Sequence, residues 1–250
     1  MPRYDFRTPR LFVDASLAPA ATFALTPDQI NYLVNVLRRR AGDGVLVFNG
    51  RDGEWQAVLA LEGRKRVSLA VTEQTRPQPP CGDLHYLFAP LKAARLDYMV
   101  QKAVEMGATR LQPVLTRHSQ AERVNLQRMR ANAIEAAEQC GILHLPDLGE
   151  PMDLGSAVAA LEPSRLLVFC DEDAEVKDPV AALAAAQPRG TRTPLAVLIG
   201  PEGGFSEEER AVIMRLPRTV RLSLGPRILR ADTAAVAALA VVGAVIGDWQ

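Results

Sequence analysis

The sequence predicts an α/β protein with two domains, and three features support this prediction. Short strand-like runs separated by glycine-containing turns fill most of residues 44–75. The stretch "RPQPPCG" (76–82) then places three prolines and a glycine where neither a helix nor a strand continues easily. From residue 83 onward, apolar strands alternate with helical stretches, as in a parallel sheet with crossover helices. We therefore expect a small β-barrel over 1–75, a linker over 76–82 and an α/β domain over 83–250.

The composition and the charge limit the classes of function. The 250 residues include 29 basic and 29 acidic side chains, so the chain carries no overall charge that would attract a polyanion. Residues 1–80 alone hold 11 basic and 8 acidic side chains, which makes this part mildly positive. The three cysteines and three histidines lack metal-ligand spacing, so we expect reduced thiols, no metal and a cytoplasmic protein. No segment has the pattern of a signal peptide or a membrane span, so no membrane partner is expected.

The first domain is predicted to contain one helix followed by strands. Thr26 and Pro27 fit the N-cap and the first position of a helix over "TPDQINYLVNVLR". Apolar residues recur there at helical spacing, at Ile30, Leu33, Val34 and Leu37. The runs "VLVFNG", "EWQAVLALE" and "RVSLAVTEQ" that follow predict a strand meander able to close into a small barrel.

The second domain is predicted to contain parallel strands and crossover helices. The strand candidates are "LHYLFAP", "LQPVLT", "RLLVFC", "LAVLIG" and "VRLSLG". A helix over "AARLDYMVQKAVEMG" has Gly107 as its stop signal and one apolar face, formed by Leu96, Met99, Val100, Ala103 and Val104. Further helices are expected over "NLQRMRANAIEAAEQCG" and over the Ala-rich segment 233–247.

Two glycine loops follow strands of this second domain. In "LIGPEGGFSEEE" (198–209), Ser206 and Glu209 form a capping-box pattern that starts a helix. The preceding Gly200–Gly204, the first glycine loop, is consistent with either a structural turn or a loop whose bare backbone contacts a ligand. The second glycine loop, Leu224–Leu229, contains Gly225 and Pro226, and Asp232 or Thr233 is expected to cap the apolar helix after it.

The position of these loops predicts a ligand site without a phosphate cradle. Ligands of open α/β sheets collect at the carboxyl ends of the strands, so the two loops could form the walls of one pocket. The sequence contains no G-x-x-x-x-G-K-[ST] motif, and no G-x-G-x-x-G opens a helix, which disfavours nucleotide phosphates and dinucleotides. A ligand with an adenine and no phosphate would use backbone groups and apolar contacts instead. Core packing is the structural alternative for the leucines.

The paired motifs "LIGPEGGFSEEE" and "LSLGPRILRADTA" resemble those of the RsmE-type 16S rRNA (uracil-N3) methyltransferases of the SPOUT superfamily. The stretches "PRLFV", "YLVNVLRRRAGDGVLVFNG", "KAARLDYMVQKAVEMGATRLQPVLTRHS" and "AIEAAEQCG" extend the resemblance over nearly the whole chain. It implies a PUA-like β-barrel that binds RNA, followed by a SPOUT domain with a C-terminal deep trefoil knot. It also implies S-adenosylmethionine as the cofactor, 16S rRNA of the small ribosomal subunit as the partner, and a homodimer.

The resemblance also assigns residues to donor binding. These are Leu198, Ile199, Gly200, Pro201, Glu202, Gly203, Gly204, Leu222, Leu224, Gly225, Ile228, Leu229, Arg230 and Ala234. Methylation of uracil N3 requires removal of a proton and stabilisation of negative charge. We expect Arg230 to stabilise the anionic uracil and either Asp232 or Glu202 to accept the proton, although Asp232 also fits a helix cap and Arg230 a phosphate contact.

Basic residues are the expected RNA contacts, since phosphate contacts dominate nucleic-acid affinity. The candidates are Arg10, Arg38, Arg39 and Arg40 in the first domain and Lys92, Arg95 and Lys102 in the second; Arg3, Arg7, Arg64, Lys65 and Arg66 add to the positive charge of the first domain. For Arg38–Arg40, a favourable interaction with a helix C-terminus is the structural alternative.

The chain departs from the family pattern at several positions. Ala231 and Asp232 stand where the family usually has Thr and Glu, Ile142 where it often has Arg, and Asn31 where His is common. Three alternative functions are also compatible with the sequence. They are a SPOUT ribose 2′-O-methyltransferase, an RNA-binding protein with a vestigial knot, and a nicotinamide-dependent enzyme, the last disfavoured by the missing dinucleotide motif.

Overall fold

A computed structural model describes residues 5, 7–62, 66–120, 123–175, 178–187 and 193–249. The chain divides into two compact units. The first contains the chain up to Cys81 together with Ala137–Leu145, and the second contains Gly82–Ala136 and the chain from Pro146 onward. The return of residues 137–145 to the first unit was not predicted. No helix in the described part of the chain is long and apolar enough to cross a membrane.

The first unit is built on a five-stranded sheet with the order β1-β3-β4-β5-β2. Strand β1 pairs with β3 in parallel, and the other neighbours are antiparallel. The strands are β1 (Arg10–Phe12), β2 (Thr22–Ala24), β3 (Gly44–Phe48), β4 (Glu54–Glu62) and β5 (Arg66–Arg76). The predicted meander corresponds to β3, β4 and β5, whereas the short strands β1 and β2 were not predicted. Alternate residues of β5 from Val67 to Val71 enter the core, as expected for a sheet with one buried face.

The first helix forms where it was predicted, but its hydrogen-bond pattern changes partway along it. Thr26 and Gln29 form a capping box at the start of α1 (Pro27–Ile30), but residues Asn31–Val36 then adopt a π-helix rather than continuing the α-helix. The amide of Leu37 bonds the carbonyl of Tyr32 five residues back, which is the π-helical pattern. The predicted helix is confirmed, and the change to π-helical bonding was not predicted because helical spacing of apolar residues does not distinguish these two hydrogen-bond patterns.

Arg38 lies just beyond the C-cap residue Leu37 and has a φ of 55°, in the left-handed region usually occupied by glycine. The Arg38–Arg40 triplet therefore follows the helix instead of forming its last turn.

The second unit is built on a parallel sheet with the order β12-β10-β11-β6-β7-β8, and β9 also pairs with β7. The strands are β6 (Leu84–Phe88), β7 (Arg110–Leu115), β8 (Asp147–Leu148), β9 (Met152–Asp153), β10 (Leu166–Cys170), β11 (Leu195–Ile199) and β12 (Thr219–Leu222). The helices are α2 (Ala93–Glu105), α3 (Leu126–Cys140, with Ala137–Cys140 counted in the first unit), α4 (Leu154–Ala159), α5 (Pro179–Ala186), α6 (Glu207–Ile213) and α7 (Ala231–Val245). Every residue of β10 and β11 is buried, which explains their continuous apolar sequences.

Local signals account for most helix boundaries in this unit. Helix α2 buries the five apolar residues predicted for its inner face, and Gly107 ends it with a φ of 85°. Ser206 and Glu209 form the predicted capping box of α6. The predicted cap of α7 was wrong, because Arg230 is the N-cap residue and makes no side-chain cap bond. The carboxylate of Asp232, in the first turn, accepts a hydrogen bond from the amide of Thr233.

Arg10 is buried within the first unit, which contradicts its predicted position on an RNA-binding surface. Only 4% of its side chain is exposed, and its Nε donates to Oε2 of Glu54 at 2.6 Å. Glu54 also accepts hydrogen bonds from Arg76 and Thr75. Arg10 and Arg76 additionally donate to backbone carbonyls of Glu138 and Gly141, so this network holds segment 137–145 within the first unit. A buried guanidinium needs such a partner because an isolated buried charge is costly.

Candidate functional site

The two glycine loops, the end of β10 and the start of α7 enclose a cavity in the second unit. Its volume is about 370 Å³, which lies within the range of small-molecule sites. The loops leave β11 and β12, the two parallel strands that flank β10, so the carboxyl edge of the sheet brings them together around the end of β10. The cavity is lined by Cys170, Asp171, Glu172, Ile199, Gly200, Pro201, Glu202, Gly203, Gly204, Ser223, Leu224, Gly225, Pro226, Arg227, Ile228, Leu229, Ala231 and Ala234.

Most residues assigned to donor binding from the sequence line this cavity. They are Ile199, all of the first glycine loop, Leu224, Gly225, Ile228, Leu229 and Ala234. Leu198 and Leu222 do not line it, and both are buried, with exposed fractions of 0% and 1%. For these two leucines the structural alternative, core packing, describes their position. Arg230 is exposed and is not part of the cavity lining.

The first glycine loop is shaped by contacts that exclude side chains. A Cβ atom on Gly200 would lie 2.4 Å from Cε2 of Phe205, whose ring packs edge-on against Phe169 in the core. Gly204 has a φ of 68°, and its amide donates to the carbonyl of Pro201, which closes a tight turn. A side chain at either glycine would therefore require the loop to move.

The second glycine loop is more open. Gly225 has a φ of 105°, and a Cβ atom there would meet no atom within 4 Å. Backbone conformation, and not crowding, therefore requires a glycine at position 225. The backbone of Gly225 faces open space beside the cavity. Ile228 in the same loop is 95% exposed, which is unusual for a large apolar side chain. This loop therefore offers bare backbone and apolar surface to a ligand.

Acidic residues after β10 form a wall of the cavity that the sequence analysis missed. Asp171 has a fully buried side chain and accepts hydrogen bonds from Nε of Arg221 at 2.7 Å and from Nε of Arg210 at 3.2 Å. Glu172 follows it and is half-exposed at the cavity. Their position directly after a buried strand was the available signal, since residues at carboxyl ends of parallel strands commonly face ligands.

The carboxylates of Asp171, Glu172 and Asp173 lie within 4.8 Å of one another, a spacing that could suit a metal ion. Arg210 forms ion pairs with all three, so its guanidinium already supplies positive charge to this group. Cys170 also lines the cavity, and its burial raises the pKa of the thiol to about 12. This thiol is therefore protonated at neutral pH and is not a reactive thiolate.

Both carboxylate oxygens of Glu202 have partners in the second unit. Oε1 forms an ion pair with Arg95 of α2, and Oε2 accepts from Nε2 of Gln120 at 3.1 Å. This arrangement bears on two predicted roles. Both oxygens of Glu202 already accept a hydrogen bond, which makes the carboxylate a weaker proton acceptor, and Arg95 uses its guanidinium on the first glycine loop.

The remaining predicted RNA contacts of the second unit are on α2. Lys92 is exposed at the N-cap of the helix. Lys102 pairs with Glu105 at 2.7 Å and lies 5.5 Å from the ring centre of Tyr98. Tyr98 itself is 46% exposed, so this face of α2 presents a cation beside an aromatic ring.

In the first unit, Arg38 and Arg40 are exposed and Arg39 is half-buried. Arg39 donates from Nη2 to the carbonyl of Arg7 at 3.3 Å, which reduces its freedom to reach a phosphate. Arg66 is exposed at the start of β5. Arg3, Arg64 and Lys65 lie outside the described residues.

Comparison with known proteins defines the class of this chain. Residues 77–243 match the family model of the RNA methyltransferase domain. Residues 25–72 match the family model of the RNA methyltransferase PUA domain. The chain belongs to this RNA methyltransferase family.

Several relatives share most of their length with the chain. The ribosomal RNA small subunit methyltransferase E of Synechocystis is 31% identical, over 95% of this chain and 78% of the relative. The protein of the same name from Rickettsia conorii is 28% identical, over 93% of this chain and 94% of the relative. The crystal structure of the enzyme of that name from Neisseria gonorrhoeae, bound to S-adenosylmethionine, has a TM-score of 0.85 at 25% identity and covers 98% of this chain and 100% of that one. A methyltransferase from Legionella pneumophila was also solved with S-adenosylmethionine, and it has a TM-score of 0.76 at 27% identity. This match covers 95% of this chain and 98% of the Legionella chain.

Proposed function

We propose that this protein transfers a methyl group from S-adenosylmethionine to N3 of a specific uridine in 16S rRNA of the small ribosomal subunit. The observation that carries the proposal is the cavity formed by the two glycine loops, since the residues of the family signature line it. The names of the full-length relatives and the ligand of two similar structures support the same conclusion.

The chemistry of the cavity fits this methyl donor. Leu224, Ile228 and Leu229 provide apolar surface for an adenine, and the glycine backbone allows close approach. Glu172 contributes negative charge to the wall, which suits a sulfonium cation. When bound, S-adenosylmethionine supplies an activated methyl group, so the protein mainly has to orient donor and acceptor.

The residues at the start of α7 carry the proposed chemistry at the uracil. Arg230 is exposed beside the second glycine loop, where its guanidinium would stabilise negative charge on a uracil oxygen. Asp232, in the first turn of α7, is the proposed acceptor of the N3 proton. Glu202 is a poorer candidate because Arg95 and Gln120 occupy both of its oxygens. Replacing Asp232 with Asn tests this role, since unchanged turnover would exclude it.

RNA binding is assigned to the exposed cations of both units. Arg38 and Arg40 provide positive charge on the first unit, and Lys92 provides it on the second. We further propose a homodimer in the cytoplasm and a deep trefoil knot in the C-terminal part of the parallel sheet. These three features are implied by the resemblance to the RsmE-type enzymes, and the similar structures support the same fold.

Nucleoside mass spectrometry tests the proposed reaction. Small ribosomal subunits that lack the modification are incubated with the protein and S-adenosylmethionine, and the RNA is then digested to nucleosides. We expect 3-methyluridine to appear only when protein and donor are both present. A 2′-O-methylated nucleoside would instead indicate the ribose methyltransferase alternative. Absence of any methylated product, with donor binding intact, would exclude this substrate.

A further inference from the structure

A short segment after β7, Thr116–Gln120, contacts the first glycine loop and is called the brace here. None of the five brace residues lines the cavity, and none was assigned to donor binding or chemistry, but the brace contacts loop residues that do line it. The inference drawn from it rests on the proposed function, because it concerns how the donor site is held in shape.

His118 makes the central contact of the brace. Its Nδ1 lies 3.1 Å from the carbonyl oxygen of Gly204. Because a carbonyl oxygen only accepts hydrogen bonds, Nδ1 carries the proton and donates. The same side chain packs beside Gly203, since a Cβ atom on that glycine would lie 3.0 Å from Cβ of His118. One histidine thus contacts both adjacent glycines of the loop.

Two further contacts fix the brace to the same region. Gln120 donates from Nε2 to Oε2 of Glu202 at 3.1 Å. The amide of Arg117 donates to Oε1 of Glu209 at 2.8 Å, and Glu209 is the capping-box residue of α6. The brace therefore contacts the glycine loop at Glu202 and Gly204 and the helix immediately after it.

The brace is itself ordered by internal hydrogen bonds. The amide of Thr116 donates to Oγ of Ser119 at 2.9 Å, and the amide of Ser119 donates to the carbonyl of Thr116 at 3.1 Å. These reciprocal bonds close a turn, so His118 projects from a fixed backbone. A rigid element can restrain a flexible neighbour, whereas a mobile one cannot.

We propose that the brace holds the first glycine loop in the shape that binds the donor, with His118 as its principal positioning residue. Adjacent glycines lose more conformational entropy than other residues when they become ordered. If the loop is already ordered by the brace, donor binding does not bear that cost, which is the general benefit of preorganisation. His118 acts through Gly203 and Gly204 and has no chemical role in this account.

Donor affinity of three matched variants tests the proposal by titration calorimetry. His118→Ala removes the contact, and we expect the Kd for S-adenosylmethionine to rise about five- to tenfold. His118→Asn places an amide N–H at the same number of bonds from Cβ as Nδ1, and we expect it to restore binding to near the wild-type value. Arg117→Ala is the control, because its exposed side chain makes only a 3.6 Å ion pair with Glu208.

Steady-state kinetics separate positioning from chemistry. For His118→Ala we expect a raised KM for the donor and a kcat near that of the wild type at saturating donor. Wild-type donor affinity in His118→Ala would overturn the proposal. Loss of kcat in both His118→Ala and His118→Asn would also overturn it, because the imidazole would then take part in the reaction.

Two controls keep these outcomes interpretable. If the wild-type protein binds no donor, the proposed function fails. If the wild type and His118→Ala bind the donor equally well, only the proposed role of the brace fails. If His118→Ala does not fold, Gln120→Ala tests the brace instead by removing its contact with Glu202. We expect that variant to weaken donor binding about two- to fivefold, and unchanged affinity would contradict the proposal.

Discussion

The buried carboxylate of Glu54 provides a sharp test of the packing of the first unit. Substituting Glu54→Gln keeps the size of the side chain and removes its charge. Arg10 would then be left as a buried cation, since only 4% of its side chain is exposed and its 2.6 Å ion-pair partner is lost. Arg76 is 17% exposed and can partly recover hydration, so Arg10 dominates the cost.

The magnitude follows from the burial of this pair. Removing one partner of a buried ion pair typically costs about 3–5 kcal/mol of unfolding free energy. For a chain of this length, such a loss corresponds to a fall in melting temperature of about 6–20 °C. The measurement is thermal and denaturant unfolding of wild type and Glu54→Gln, with hydrogen exchange of residues 137–145 as a local readout. That segment should exchange faster because the network donates to its carbonyls.

A matched substitution separates this effect from a general change of charge. Glu73 is exposed on β5, so Glu73→Gln makes the same chemical change away from the buried network. We expect it to alter the unfolding free energy by less than about 0.5 kcal/mol. If Glu54→Gln has as small an effect as Glu73→Gln, the assignment of Glu54 as the buried anchor of this network is refuted.

Three further predictions concern pH, the first glycine loop and RNA. Burial raises the pKa of Glu54, but hydrogen bonds from its arginine and threonine partners outweigh it and place the pKa below its ordinary 4.5. Its stabilisation is thus complete above pH 4.5 and lost as pH falls through the folded pKa, so the melting-temperature difference between wild type and Glu54→Gln should shrink in acid. Gly200→Ala places Cβ 2.4 Å from the Phe205 ring, so we expect the unfolding free energy, measured with denaturant, to fall by about 1–3 kcal/mol. Gly82→Ala is the control and should leave the stability unchanged, because its Cβ would have no atom closer than 3.9 Å. Neutralising Arg38–Arg40 should weaken RNA binding without changing donor affinity. The slope of log K for RNA against log salt concentration should become shallower by about 2, and an unchanged slope would count against this RNA surface.

Features set by local sequence were predictable. Three such features depend on residues close together in the chain. They are the inner face of α2, the capping box of α6 and the buried strands β10 and β11. A cavity at the carboxyl edge was also anticipated, because two Gly-Pro breaks followed strands of a parallel sheet. The sequence did not reveal that β10 lies between those two strands.

Features set by distant residues were not predictable from the sequence. The burial of Arg10 depends on Glu54, which lies 44 residues away, and on the carbonyl of Glu138, which lies 128 residues away. The pairing of Glu202 with Arg95 spans 107 residues and changes the interpretation of both. The π-helix after α1 also escaped prediction, because a one-residue change in hydrogen-bond spacing leaves the same apolar pattern.

Titration of the purified protein with S-adenosylmethionine tests whether the two glycine loops bind the methyl donor. We expect one donor bound per chain, no binding of NAD, and loss of donor binding in Ala234→Phe, which fills the cavity from α7. A melting curve of that variant verifies that the fold is retained. Absence of donor binding by the wild type, or wild-type affinity in a folded Ala234→Phe variant, would contradict the assignment of the two glycine loops as the methyl-donor site.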